Sequence, residues 1–214
     1  YMNKTALCIV AHPDDETIWM GGTIMKNNYN WTIICLCRKN DLDRSPKFKK
    51  VCDYYKAKSI ISDLDDEKLK PLTTQSIVKK IKSLLPKLEY DIIFTHGENG
   101  EYGHLRHKEI YTAVKKMIKN KQLKAKEVYY FSYELKSRKI PWPTKGYELK
   151  TELTKSEHKG KIQIITDIYG FADNSFEALS CNNIETFTCQ DAGKHRPLDH
   201  AQAPNTSSKS LRGS

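Results

Sequence analysis

The sequence predicts an α/β fold, a Rossmann-like three-layer sandwich around a mainly parallel sheet, on three observations. Short apolar runs without polar alternation recur along the chain, the mark of strands buried on both faces. Between them lie stretches whose apolar residues repeat at helical intervals. The two kinds of segment alternate, and right-handed crossovers between parallel strands leave few other topologies.

In chain order, Thr5 to Ala11 is the first apolar run and reads as a buried strand. Glu16 to Lys26 follows as a helix, with Ile18, Trp19, Gly22, Ile24 and Met25 spaced on one face and Asn27, Asn28 and Asn30 closing it. Trp31 to Cys37 is the second strand, and Phe48, Val51, Cys52 and Tyr55 repeat as a helix face behind it. Ser59 to Ile61 is a short strand. Thr73 to Leu88 sets Ile77, Ile81, Leu84, Leu85 and Leu88 on one helical stripe. Asp91 to Thr95 is the next strand, and after a glycine-rich loop His107 to Lys119 is a helix carrying Ile110, Tyr111, Val114, Met117 and Ile118. Glu127 to Tyr133 reads as a strand of aromatics and Val, and the segment from Tyr147 to about Tyr169 as mostly helical.

With 214 residues the chain can bury on the order of 70% of its unfolded surface, so one domain needs neither disulfides nor a structural metal to fold. That domain is expected to occupy residues 1–190. Residues 191–214 hold Gly193, Pro197, Pro204, Gly213 and a Ser/Thr cluster with no apolar period, which predicts a disordered tail. Its last four residues resemble the front of a purification tag and Tyr1 ahead of Met2 a cloning scar, so neither end carries a functional argument, and whether residues 191–214 belong to the natural gene product is left open.

The apolar run at the start is far shorter than the roughly 18 to 20 residues of a membrane span, and it leads directly into charged residues, unlike a secretory signal. The formal charge of +10 raises the question of a nucleic-acid partner. Only six of the 36 basic residues are Arg, however, and the lysines are dispersed; Arg is the preferred reader of bases and phosphates. No nucleic-acid partner is therefore expected. Of six cysteines, Cys8, Cys35 and Cys37 fall in apolar strands, and no CxxC pair occurs. They read as small buried hydrophobes in a reducing cytoplasm.

Two loops carry the chemistry. His12 Pro13 Asp14 Asp15 Glu16 follows the first strand, and Gly97 to His107 follows the strand ending at Thr95. In a doubly wound sheet of order 3-2-1-4 both loops face the crevice at the switch point, where ligands bind. Taken alone, Asp14 or Asp15 could be a helix cap, and the two histidines a polar helix start. Together, imidazole and carboxylate from one corner and a second imidazole from the next make a two-His, one-carboxylate set that leaves metal positions open. Adjacent Asp14 and Asp15 cannot point the same way, so one can ligate while the other stands over water whose pKa the metal lowers from 15.7 to about 7. His104, three residues before His107, lies on the same side of the helix start, within reach of a developing oxyanion.

AlaHisProAspAspGlu after the first strand, with AsnGlyGluTyrGlyHis and a second His three residues on, resembles the LmbE and PIG-L family of metal-dependent N-acetylglucosamine deacetylases, over about residues 4–180. The resemblance implies His12, Asp15 and His107 as metal ligands, Asp14 as general base, His104 as electrostatic stabiliser or acid, and Tyr102 as the residue that helps polarise the acetyl carbonyl. It implies a Rossmann-like fold, Zn²⁺ as cofactor or in some members Fe²⁺, and a small-molecule or glycan substrate with an N-acyl group on a sugar. Arg38 matches a position that meets substrate, and Arg44, with Lys47 three residues later where the family prefers Glu, stands beside it. Leu105 and Arg106 replace the family's ProAsp, which sets a cation next to the expected metal and disfavours both the metal and a protonated His104.

The expected activity is hydrolysis of an N-acetylglucosaminyl amide. Two alternatives stay open: another metal-dependent N-acyl amide hydrolase, and a non-catalytic member of the fold that binds sugar or polyanion. The oligomeric state is left open.

Overall fold

The computed structural model describes residues 3–136 and 139–189. The expected tail at 191–214 lies outside the described residues. Five strands form the parallel body of the sheet: β1 (Thr5–Val10), β2 (Asn30–Cys37), β3 (Lys58–Leu64), β4 (Glu89–Thr95) and β5 (Lys124–Phe131). Helices α1 (Asp15–Lys26), α2 (Arg44–Tyr54), α3 (Thr74–Leu84), α4 (Gly100–Gly103) and α5 (Leu105–Lys119) connect them. A two-stranded ribbon, β6 (Tyr133–Leu135) with β7 (Pro141–Pro143), leads to β8 (Leu149–Glu152). Helix α6 (Lys155–Gln163), a π-helical turn (Ile164–Ile168), α7 (Phe176–Ser180) and β9 (Ile184–Thr188) complete the described chain. The sheet has seven strands in the order β3-β2-β1-β4-β5-β9-β8, with β9 and β8 antiparallel at one edge. The order reverses between β1 and β4, which is the expected switch point.

The strands are buried on both faces, as their unbroken apolar runs require. Ala6, Cys8, Val10, Ile33, Cys35 and Phe94 pack toward α1, α2 and the π-helical turn, whereas Leu7, Ile9, Ile34, Leu36 and Ile93 pack with residues of α3 and α5. All six cysteines are free, and Cys8, Cys35 and Cys37 are buried. Among the described residues no helix is long and apolar enough to cross a membrane.

Two expected helices differ from the structure. The helix expected over Thr73–Leu88 stops at Leu84, because Leu85 precedes Pro86 and takes an extended backbone (φ −68°, ψ 125°); Leu88 is exposed. The segment expected to be helical from Tyr147 starts as strand β8, since pairing with β9 satisfies its backbone at the sheet edge. Helix begins only after Thr154, whose side chain and that of Glu157 form a reciprocal capping box. The strand expected over Glu127–Tyr133 starts earlier, at Lys124, and breaks at Ser132, so Tyr133 belongs to the ribbon.

Helix α1 is kinked at Met20 (φ −150°), which leaves backbone groups without helical partners. Glu185 of β9 accepts the freed N–H groups of Gly22 (2.8 Å) and Thr23 (2.7 Å), and the Tyr133 hydroxyl donates to the Trp19 carbonyl (2.7 Å). Lys161 of α6 neutralises Glu185 at 2.7 Å, with both side chains fully buried. The late elements thus fix the helix that opens the first chemical loop.

Candidate metal centre and its cleft

The loop after β1 turns at Asp14, whose backbone sits at φ +113°, a conformation that costs a non-glycine residue energy. The Asp14 N–H donates to Glu16 Oε2 (3.2 Å), and its carbonyl accepts from Thr17 and Ile18 (2.9 Å each), which holds the turn. Asp14 occupies the cap position of α1, but its side chain makes no capping bond there. Asp14 Oδ2 instead accepts from Arg44 (2.7 Å). Helix capping therefore does not account for the loop.

Asp15 points the other way, as adjacency demands. Its Oδ1 accepts from the Trp19 indole (2.8 Å) and its Oδ2 from the His12 N–H (2.8 Å). His12 Nδ1 lies 3.1 Å from Asp15 Oδ2, His107 Nε2 lies 3.1 Å from His12 Nδ1, and His107 Nε2 lies 3.4 Å from Asp15 Oδ2. Ligand atoms on a tetrahedral ion with bonds of about 2.0–2.1 Å stand roughly 3.3–3.4 Å apart, so this triangle has the size of one face of such a site. The outer ring nitrogens are held too: His12 Nε2 by Asp66 Oδ1 (2.9 Å) and His107 Nδ1 by Glu101 Oε2 (2.5 Å). Carboxylates on the far nitrogens turn the near ones, lone pairs inward, toward a common point.

The charges agree. Burial acts to lower the His12 pKa, but the Asp15 charge and hydrogen bonds from Asp15 and Asp66 push it up to about 9. Burial is likewise overcome at His107, where Asp15 and Glu101 push the pKa up to about 10. Burial alone would raise Asp15, yet the two imidazoles hold it well below the usual carboxylate range. This is an anionic cage that attracts positive charge to its centre. Desolvation and the Asp15 charge drive the Asp14 pKa upward.

Other donor groupings share parts of this cage. His104 with His12 and His107, His96 with Asp15 and His107, and Cys37 with His12 and Asp66 each bring their ligand atoms within 4.8 Å. His96 Nε2 already accepts the Ala11 N–H (2.9 Å), and burial raises Cys37 far from its thiolate form. The two nitrogens and one carboxylate oxygen of His12, His107 and Asp15 therefore make the candidate site whose donor set and spacing best suit a divalent metal ion.

Each remaining residue singled out from sequence lies on the same cleft, a cavity of about 290 Å³ lined in part by His12, Asp14, Asp15, Arg38, Arg44, Tyr102 and His104. His104 stacks edge-on against His12 (centroids 4.7 Å). Its pKa falls to about 4 through burial and the neighbouring His107 and His12 charges. Tyr102 packs edge-on against Phe176 at 4.9 Å, and its hydroxyl has no hydrogen-bond partner among the described residues. Arg38 binds Asp66 through Nε (2.9 Å) and a terminal nitrogen (2.7 Å).

Arg106 corrects an expectation. It is fully buried and paired with Glu109, donates to the Lys70 carbonyl (3.2 Å) and lies 3.6 Å from Asp65. Its charge is balanced by carboxylates and is not left bare beside the expected metal. The low His104 pKa has the causes given above.

Three site residues escaped the sequence reading. Asp66, His96 and Glu101 fix the His12 and His107 imidazoles directly or through a stack, His96 lying 3.8 Å from His107 ring to ring and donating from Nδ1 to Glu101 (2.9 Å). The signal was positional: Asp66 and His96 each follow the carboxyl end of a parallel strand, as do the two loops that were read.

Two solved structures share this fold at 12% sequence identity. One is a deacetylase triple mutant of the teicoplanin biosynthetic pathway, with a TM-score of 0.64 over 88% of this chain and 99% of that one. The other is Dbv21, the deacetylase of the antimicrobial A40926 pseudoaglycone, with a TM-score of 0.59 over 78% of this chain and 82% of that one. The class is thus the mixed α/β, Rossmann-like fold of these deacetylases. Residues 7–118 match the PIG-L family, described as GlcNAc-PI de-N-acetylase, and the chain belongs to that family. A curated relative, uncharacterized protein L374 of Acanthamoeba polyphaga mimivirus, is 27% identical over 121 residues, which span 49% of this chain and 53% of the relative.

Proposed function

We propose that this protein is a metal-dependent N-deacetylase that hydrolyses the N-acetyl group of an N-acetylglucosamine-containing substrate. The observation that carries the reading is the buried triangle of His12 Nδ1, Asp15 Oδ2 and His107 Nε2, with Asp14 beside it on the cleft wall. Family membership supports the reaction class. His12, Asp15 and His107 would hold a zinc or ferrous ion, which when bound acidifies water and polarises a carbonyl oxygen.

The chain's own groups do the rest. Arg44 binds Asp14 Oδ2 and leaves Oδ1 free to take a proton from the attacking water. As the C–N bond breaks, Asp14 returns that proton to the departing nitrogen, so that amide and water become acetate and amine. The Tyr102 hydroxyl and neutral His104, on the same cleft, supply N–H and O–H donors for the oxygen that gains charge. Arg38 and Arg44 position the sugar.

Asp14→Asn is expected to lower kcat by about 10² or more while elemental analysis still finds one metal ion per chain. A loss of only a few-fold would remove Asp14 from the proton path. Release of acetate from N-acetylated sugars, compared with release of acids from other N-acyl sugars and N-acyl amino acids, tests the substrate class.

A further inference from the structure

We infer that Tyr169 and Phe171, which follow the π-helical turn at Ile164–Ile168, are positioning residues for Asp14: they hold its main chain through Glu16 and its carboxylate through Arg44. The consequence for catalysis rests on the deacetylase reading, and both residues lie past the family match at 7–118. Asp14 needs to be held from outside its own loop. Its backbone (φ +113°) is one that a non-glycine residue keeps only under constraint, and its side chain makes no capping bond to α1. The Asp14 N–H goes to Glu16 Oε2 (3.2 Å), so the Glu16 carboxylate must be fixed in turn. Glu16 Oε1 accepts from the hydroxyls of Thr17 and Tyr169, at 2.8 Å each. Thr17 belongs to the same helix start and adds no outside anchor. Tyr169, buried and 153 positions away, does.

The turn explains how one short segment makes both contacts. A π-helical turn holds one residue more than an α-helical one, and such turns recur at functional sites. Here the Tyr169 N–H returns to the Ile164 carbonyl (3.1 Å) and the Phe171 N–H to that of Ile165 (3.2 Å). Ile164 and Ile165 are buried in the core shared with α1 and α2, which anchors the bend. Beyond it the Phe171 ring meets Arg44, whose guanidinium lies 4.1 Å from the ring centre, and Arg44 donates to Asp14 Oδ2 (2.7 Å). A guanidinium held on a ring face loses freedom to swing away from its carboxylate. The bend therefore reaches Asp14 by two arms, one to its main chain and one to Oδ2, and Oδ1 remains as the proton acceptor.

The test uses the full, metal-loaded chain and two substitutions. Tyr169→Phe removes one donor and leaves Glu16 its bond from Thr17; Phe171→Leu keeps an apolar side chain beside Arg44 without the ring. Each is expected to lower kcat on an N-acetylated sugar about tenfold or more with the metal content unchanged, and Tyr169→Phe to leave KM within about twofold. Placed in Asp14→Asn, the same substitutions should cost less than about twofold, because the group they position is gone; a merely structural role would cost the same in both backgrounds. Amide exchange at Asp14 should quicken about tenfold in either variant, while the amides of Ile9 and Ile93 in the sheet keep their rates. A kcat kept within about twofold, an equal loss in both backgrounds, or loss of the metal would overturn the inference and leave deacetylation standing. Absence of acetate release by the unsubstituted protein would sink deacetylation instead, and exchange at Asp14 would then decide: quickened, the tether stands; unchanged, it falls as well. The two arms are separate, so if one variant does not fold the other carries the same test.

Discussion

Glu101 shows how much one side chain can arrange. Its backbone is left-handed (φ +58°), and its carboxylate accepts from the Gly97 N–H (2.7 Å), from His96 Nδ1 (2.9 Å) and from His107 Nδ1 (2.5 Å). The neighbouring His96 and His107 imidazoles and their hydrogen bonds hold its pKa down to about 2 against the opposing effect of burial. Glu101→Gln would turn one acceptor oxygen into an NH₂ that must face a donor. Metal affinity should fall about 10- to 100-fold, read by competition with a chromogenic chelator, while the circular dichroism of the fold is kept. That His12, Asp14, Asp15, His104 and His107 come together in one place was legible in the sequence because the two segments that carry them follow strongly apolar strands. Asp66 was hidden in the acidic run Asp63–Glu67, which reads as solvated surface until the end of β3 is placed beside β2. The pairing of Arg106 with Glu109 and Asp65 was not legible, since sequence adjacency to His104 and His107 says nothing about which acids a residue meets.

At the scale of elements, strand ends decide the site, and two features hold them. Gly97 runs so close to β5 that an added Cβ would stand 2.2 Å from the Phe131 carbonyl oxygen, a backbone atom that cannot step aside. Gly97→Ala should cost about 2 kcal/mol or more in urea unfolding. It should also weaken metal binding, because the Gly97 N–H is one of the bonds that place Glu101. At the opposite ends of the strands, Asp91 of β4 accepts from Lys126 of β5 (2.7 Å) and from the N–H (2.8 Å) and hydroxyl (3.0 Å) of Thr5 in β1. The Lys126 bond first, then those from Thr5, hold its pKa below the ordinary 3.8. A depressed carboxylate adds stability that is full above the unfolded value and lost as pH falls through the folded one. The urea midpoint should therefore drop between about pH 4 and pH 2, and Asp91→Asn should flatten that drop. The parallel body of the sheet was legible from unbroken apolar runs; β8 was not, because Leu149–Glu152 becomes a strand only through its partner β9.

For the whole molecule, the described residues past the family match brace the part that carries the chemistry. Lys161 of α6 and Glu185 of β9 form a buried pair that also terminates the second half of kinked α1. Lys161→Met leaves Glu185 charged and unmatched in the interior and is expected to cost about 3–5 kcal/mol by chemical denaturation. A loss below 1 kcal/mol would mean that Glu185 takes up a proton or reaches water in the variant. None of this coupling has a sequence signature, since a single Lys and a single Glu 24 positions apart carry no pattern. Asp14 (φ +113°), Arg38 (φ +70°) and Glu101 (φ +58°) all bend through the left-handed region, one in each of three loops around the cleft. Glycine would relax every one of these bends. The protein thus stops short of its own ceiling for heat tolerance, and directed evolution that rewarded ruggedness alone would erode the three positions that shape its cleft.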